Sequence, residues 1–120
     1  MAEIPHLVDL QSVEELTGID IRSGEVRLGA MTTQHDIIAH AELREHVPIL
    51  REAALQIADP QVRYMGTVGG NCANGDPGND MPGLMQCLDA QFEPCTGAAI
   101  PMKNKSASSA TMPLLPPRLR

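Results

Sequence analysis

Thr67, Gly69, Gly70 and Asn71, followed by Asp76 and Asp80, are the residues of this chain whose types and spacing suit chemistry. A diglycine beside a hydroxyl and an amide lets backbone N–H groups approach an anionic oxygen closely, because no Cβ stands in the way. A diphosphate is the ligand such a turn most often serves. The carboxylates just downstream are the right groups to accept hydrogen bonds from sugar or ribityl hydroxyls. Diglycine turns are common, so specificity has to come from the flanking sequence.

The other reactive residue types reduce to structural readings. His35 and His40 are five apart and fall on different helix faces. His6 and His46 have no Cys or carboxylate in ligand spacing, so the histidines read as surface or satisfied side chains and no metal site is expected. Glu14 and Glu15 read as a solvated face. Met31, Met65, Met81 and Met85 have spacing that suits core filling. Cys72, beside the turn, is expected to be a small buried filler rather than a reactive thiol. No catalytic residue is assigned.

Several elements must position the turn. Leu7 to Leu10 alternates as a strand does, and Ser12 to Leu16 reads as a turn or a helical turn. Asp20 to Arg22 and Glu25 to Leu28 flank Ser23-Gly24, which predicts a hairpin burying Ile19, Ile21, Val26 and Leu28 on one face. Thr33 begins a helix with Asp36 in capping-box spacing, carrying Ile37, Ile38 and Ala41. A second helix has Pro48 in its first turn and a stripe of Ile49, Leu50, Ala53, Ala54, Ile57 and Ala58, ended by Asp59-Pro60. Val62 to Met65 is predicted as an extended approach to the turn. Gly66 to Asp80, with five glycines, is predicted to be irregular. Met81 to Ala90 predicts a third helix burying Leu84, Met85 and Leu88, and Gln91 to Glu93 starts a strand.

Composition bounds the rest. The 120 residues make one small domain with one modest core, aliphatic because Tyr64 and Phe92 are the only aromatic rings. No apolar run approaches the ~18 residues of a membrane span, and the start of the chain lacks a secretory pattern. Three widely spaced cysteines, Cys72, Cys87 and Cys95, form no disulfide framework, which points to the cytoplasm. A net charge of -6 argues against nucleic acid. Residues 1–93 hold all 15 acids, whereas residues 94–120 hold none, and five of the ten prolines. That last segment shows no sustained period and reads as a disordered tail.

The flanking motifs give the turn its specificity. Val26 to Thr33, Ala58 to Asn71, Asp76-Pro77 and Asp80-Met81-Pro82 together resemble, in order and spacing, the FAD-binding medium subunit of the molybdenum hydroxylases. This group includes carbon monoxide dehydrogenase and xanthine dehydrogenase. The resemblance covers residues 3–93, and Ala30 to His35 looks most like the carbon monoxide dehydrogenase branch. It implies an α+β fold, a partial FAD-binding domain of the vanillyl-alcohol-oxidase (PCMH) type. It also implies that Thr67, Val68, Gly69, Gly70 and Asn71 hold the flavin diphosphate, that Asp80 contacts the flavin, and that Ile57 and Ala58 lie against it. The implied partners are an iron–sulfur small subunit carrying 2Fe-2S clusters and a large subunit carrying the molybdenum cofactor (molybdopterin). The flavin then relays electrons to an external acceptor.

Two departures from the family follow. Its members carry further residues upstream, including a first glycine-rich loop, so the chain is expected to lack the N-terminal subdomain. The resemblance also stops after Glu93, where the acids end and prolines multiply, the pattern a frameshift produces. Residues 1–93 are thus expected to be the partial domain and residues 94–120 a disordered or frameshifted tail. The alternative expectation is a truncated, inactive product that does not hold FAD alone.

Overall fold

A two-residue reversal starts the ordered framework. Ser23 and Gly24 both take positive φ, 53° and 79°, as the tight hairpin turn that matches strand twist requires. They join strand β1 (Ile19–Arg22) to β2 (Glu25–Gly29). Ile19 lies opposite Leu28, and Ile21 opposite Val26. Val26 and Leu28 are fully buried, with the two isoleucines packed partly against them. The hairpin expectation is borne out in both register and face. The computed structural model describes residues 3–57, 59–93 and the backbone of 109–113.

Six helices follow: α1 (Gln34–Ala39), α2 (Ala41–His46), α3 (Pro48–Gln56), α4 (Pro60–Met65), α5 (Val68–Asn74) and α6 (Asp80–Cys87). They lead into β3 (Gln91–Glu93) and, later, β4 (Ser109–Pro113). Helices this short do not persist on local propensity, so their ends and packing hold them. Thr33, His40, Asp59 and Thr67 each accept a hydrogen bond from the backbone N–H three residues on. Thr33 and Asp36 complete the expected capping box. Pro48 and Pro60 occupy first-turn positions, where their missing N–H is not needed.

The sheet is antiparallel with strand order β1-β2-β4-β3. Val26, Leu28 and Phe92 from the sheet meet Ile37, Leu43, Leu50, Val68, Met81 and Met85 from the helices in one core. This is an α+β architecture, with the helices inserted between the second and third strands of the chain.

The structure corrects six local expectations. Glu3 to Leu10 has no strand pairing and is exposed throughout, because alternation alone makes no strand without a neighbour to bond. The first helix stops at Ala39, and His40 caps a separate helix. On α3 the buried positions are Leu50 and Ala54, while Ile49 is 46% exposed. Val62 to Met65 is helical rather than extended, and Gly66 to Asp80 contains α5 rather than irregular chain. Ser109–Pro113, within the expected disordered tail, is a strand paired on both sides through its backbone, which needs no alternating pattern. Ala58, Cys95 and the rest of the tail lie outside the described residues.

Candidate functional site

The end of β2 meets the α4–α5 junction. Thr33 and Thr67 form an antiparallel bridge. The Gln34 N–H donates to the Gly66 carbonyl at 3.0 Å, and the Val68 N–H donates to the Thr32 carbonyl at 2.9 Å. The Gly69 N–H donates to the Ala30 carbonyl at 2.8 Å. These bonds press the start of α5 against Ala30. A Cβ on Gly69 would lie 2.7 Å from the Ala30 Cβ and 2.8 Å from its carbonyl oxygen. Glycine is required at 69 by backbone packing, a reason the sequence reading did not give.

Gly70 is different. It is exposed, and a Cβ there would meet only the Thr67 hydroxyl oxygen, at 2.9 Å. That oxygen accepts the Gly70 N–H at 3.0 Å. The Asn71 N–H donates to the Thr67 carbonyl. The N–H groups of Val68, Gly69, Gly70 and Asn71 therefore all have partners within the chain.

The remaining polar groups are side chains. The Thr67 hydroxyl accepts from Gly70 and keeps its own proton to donate. Asn71 Oδ1 is buried without a hydrogen-bond partner. Asn79 Nδ2 donates to the Asn71 carbonyl at 2.9 Å, tying the diglycine helix to the start of α6, where Asp80 presents an exposed carboxylate. The structure thus brings Thr67, Val68, Gly69, Gly70, Asn71 and Asp80 into two adjoining helix starts.

Ile57 is half-buried at the C-terminal end of α3 and is tied to α4 through Arg63. Arg63 Nε donates to the Ile57 carbonyl and Nη2 to the Leu55 carbonyl, at 3.0 and 2.6 Å. Sequence reasoning missed this role; the signal was a lone arginine a few residues beyond a helix end, where cations favour the exposed carbonyls. It also missed the stack of His35 on Tyr64, with ring centroids 4.2 Å apart. Cys72 is half-buried at the edge of the core, and burial pushes its thiol up to about 11. That environment makes it a packing residue rather than a nucleophile.

Among the described residues no group of three or more His, Cys, Asp or Glu could hold a metal ion. No helix there is long and apolar enough to cross a membrane. A cleft of about 320 Å³ is bordered by Gly18, Ile19, Thr32, Asp36, Ala39 and His40. None of the expected flavin contacts lines it.

The donor set fits a ligand bearing phosphates and hydroxyls. The Thr67 hydroxyl proton beside the exposed Gly70 suits an oxyanion, while the unmet Asn71 Oδ1 and the Asp80 carboxylate are acceptors that suit hydroxyl donors. The class so defined is an α+β domain with polar side chains gathered at two adjoining helix starts. More particularly, the chain belongs to the family described as the FAD binding domain in molybdopterin dehydrogenase, which it matches over residues 1–103.

Its relatives agree. It is 58% identical over 93 residues to the carbon monoxide dehydrogenase medium chain of Afipia carboxidovorans, covering 78% of this chain and 32% of that one. It is 36% identical over 85 residues to the glyceraldehyde dehydrogenase medium chain of Sulfolobus acidocaldarius, covering 71% and 30%. The chain thus spans about a third of the length of these curated relatives. Among solved structures, a Cu,Mo-CO dehydrogenase in its cyanide-inactivated form superposes with a TM-score of 0.85 at 44% identity, over 92% of this chain and 44% of that one. The carbon monoxide dehydrogenase of Hydrogenophaga pseudoflava gives 0.88 at 35% identity, over 97% and 46%.

Proposed function

We propose that this chain is the FAD-binding portion of an electron-transfer subunit of a cytoplasmic molybdenum hydroxylase. In this reading a small subunit supplies electrons from its 2Fe-2S clusters, after substrate oxidation on a large molybdopterin subunit. When bound, FAD supplies the redox chemistry and passes the electrons to an external acceptor. This chain binds and orients. The Thr67 hydroxyl donates to the diphosphate beside the exposed Gly70, and Asn71 Oδ1 and the Asp80 carboxylate accept from the ligand's hydroxyls. In the ligand-free chain Val68 and Gly69 seat the turn against the sheet, and Ile57 and Ala58 complete the cofactor contact. The observation that carries this reading is the pair of helix starts joined by the Asn79–Asn71 bond, inside the family-matched residues.

A titration of the purified full chain with FAD, followed by flavin fluorescence, tests it. Saturable binding, weakened about tenfold by Asp80→Ala through loss of charge-assisted hydrogen bonds, is expected. A second reading, that the chain does not hold FAD alone, is favoured by the internal partners of the four turn N–H groups. A folded chain showing no saturable binding supports that second reading against the first.

A further inference from the structure

Gln34, the first residue of α1, is 1% exposed, and neither its Oε1 nor its Nε2 has a hydrogen-bond partner. A primary amide carries two donors and an acceptor. Leaving all of them unmet in the interior is a rare condition that calls for a cause. Its position suggests one. The Gln34 side chain lies against Gly66, with Cγ 4.0 Å from where a Cβ on that glycine would sit. Thr32, two residues earlier, is also buried, and its hydroxyl is committed to the Gly18 carbonyl. The Thr32 carbonyl is the group that holds the Val68 N–H. The unmet amide therefore adjoins the segment that restrains the Thr67–Asn71 turn.

We propose that Gln34 is a positioning residue that sets the balance between two hydrogen-bonding states of this turn. In the state described here, Val68 and Gly69 donate to the Thr32 and Ala30 carbonyls, and the Gln34 amide is unmet. In the other state those two N–H groups turn to an oxyanion, and Gln34 Nε2 takes over the released Thr32 carbonyl. The unmet amide raises the free energy of the first state and brings the second within reach of a diphosphate ligand. The inference rests on the reading of this turn as the diphosphate site, and adds the residue that sets its readiness.

Gln34→Met keeps the length of the side chain and removes its polar ends; Gln34→Leu serves as a second variant. Native-state amide exchange of the ligand-free full chain reads the turn without any flavin. The expected result is exchange at Val68 and Gly69 slowed about tenfold, from relief of the unmet amide in the closed state, with Met85 in α6 unchanged. FAD affinity falls by a similar factor. Unchanged exchange at the two turn amides overturns the proposal, as a buried water satisfying Gln34 would cause. Equal slowing at Met85 overturns it too, since the effect is then global. Slowed turn exchange with undiminished FAD affinity overturns the link to the ligand. Slowed exchange with no FAD binding by wild type or variants supports the two-state turn and removes the diphosphate reading instead.

Discussion

Gly69 and Gly70 are neighbours with different duties. A side chain at 69 runs into the Ala30 backbone, whereas one at 70 meets a single hydroxyl. Gly69→Ala is therefore expected to destabilise the chain by about 2 kcal/mol, because the helix start must back away from the sheet. Gly70→Ala is expected to cost less than half of that and to lower FAD affinity in a protein that remains folded. Urea denaturation together with flavin titration checks both, and equal stability losses would sink the distinction. Both residues are legible in the sequence as a special turn. The packing reason for Gly69 is not, because nothing in the chain order says that Ala30 lies beneath it. Cys72 makes a further point at this scale. Its folded thiol stays protonated up to about 11, against an ordinary value of 9.0, because burial disfavours the thiolate. The unfolded chain ionises first, so the stability this thiol contributes is complete below pH 9 and is lost as pH rises through about 11. Cys72→Ala should flatten that alkaline loss in denaturation midpoints, and at neutral pH the exposed Cys87 should react with a thiol reagent before Cys72.

At the scale of elements, caps decide where the helices begin. His40 ends α1 and, through Nδ1, accepts the Leu43 N–H to start α2. His40→Ala is expected to lower stability by about 1 kcal/mol, and His40→Asn to restore most of it, because asparagine is also a good N-cap. Equal denaturation midpoints for the two variants would show that the cap contributes nothing. The same logic explains which helices the sequence conceals. Asp59-Pro60 ends one helix by the residue-before-proline rule, and the pair is also an N-cap followed by a first-turn proline, which starts α4. Thr67 caps α5 in the same way, but the two glycines after it mask a helix whose stability comes from contact with β2 rather than from propensity. Among the elements read correctly, the β1–β2 hairpin and α6 are announced by their apolar period, and α1 and α3 by Thr33 and Pro48 at their starts.

For the molecule as a whole, the question is what closes the sheet. Sequence identity to the carbon monoxide dehydrogenase medium chain covers 93 residues, yet structural likeness to a solved relative covers 92% of the chain. Within the chain, that question turns on β4. This strand separates β2 from β3, and Arg27 on β2 forms an ion pair with Glu93 on β3. Five residues of β4 pair with β2 and three with β3, so β3 joins the sheet only through it among the described strands. Phe92, the one ring in the core, sits on β3. A chain ending at Glu93 should therefore open the β2 edge and loosen Phe92, at a loss of at least ~2 kcal/mol and with a greater tendency to aggregate. Thr111 lies opposite both Arg27 and Gln91, so Thr111→Pro, which removes a ladder donor, should reproduce much of that loss. Thr111→Ser should not, because the strand is held by its backbone. Urea midpoints and light scattering of the three variants decide the matter. A truncated chain as stable and as monodisperse as the full one would show that β4 adds nothing to the fold.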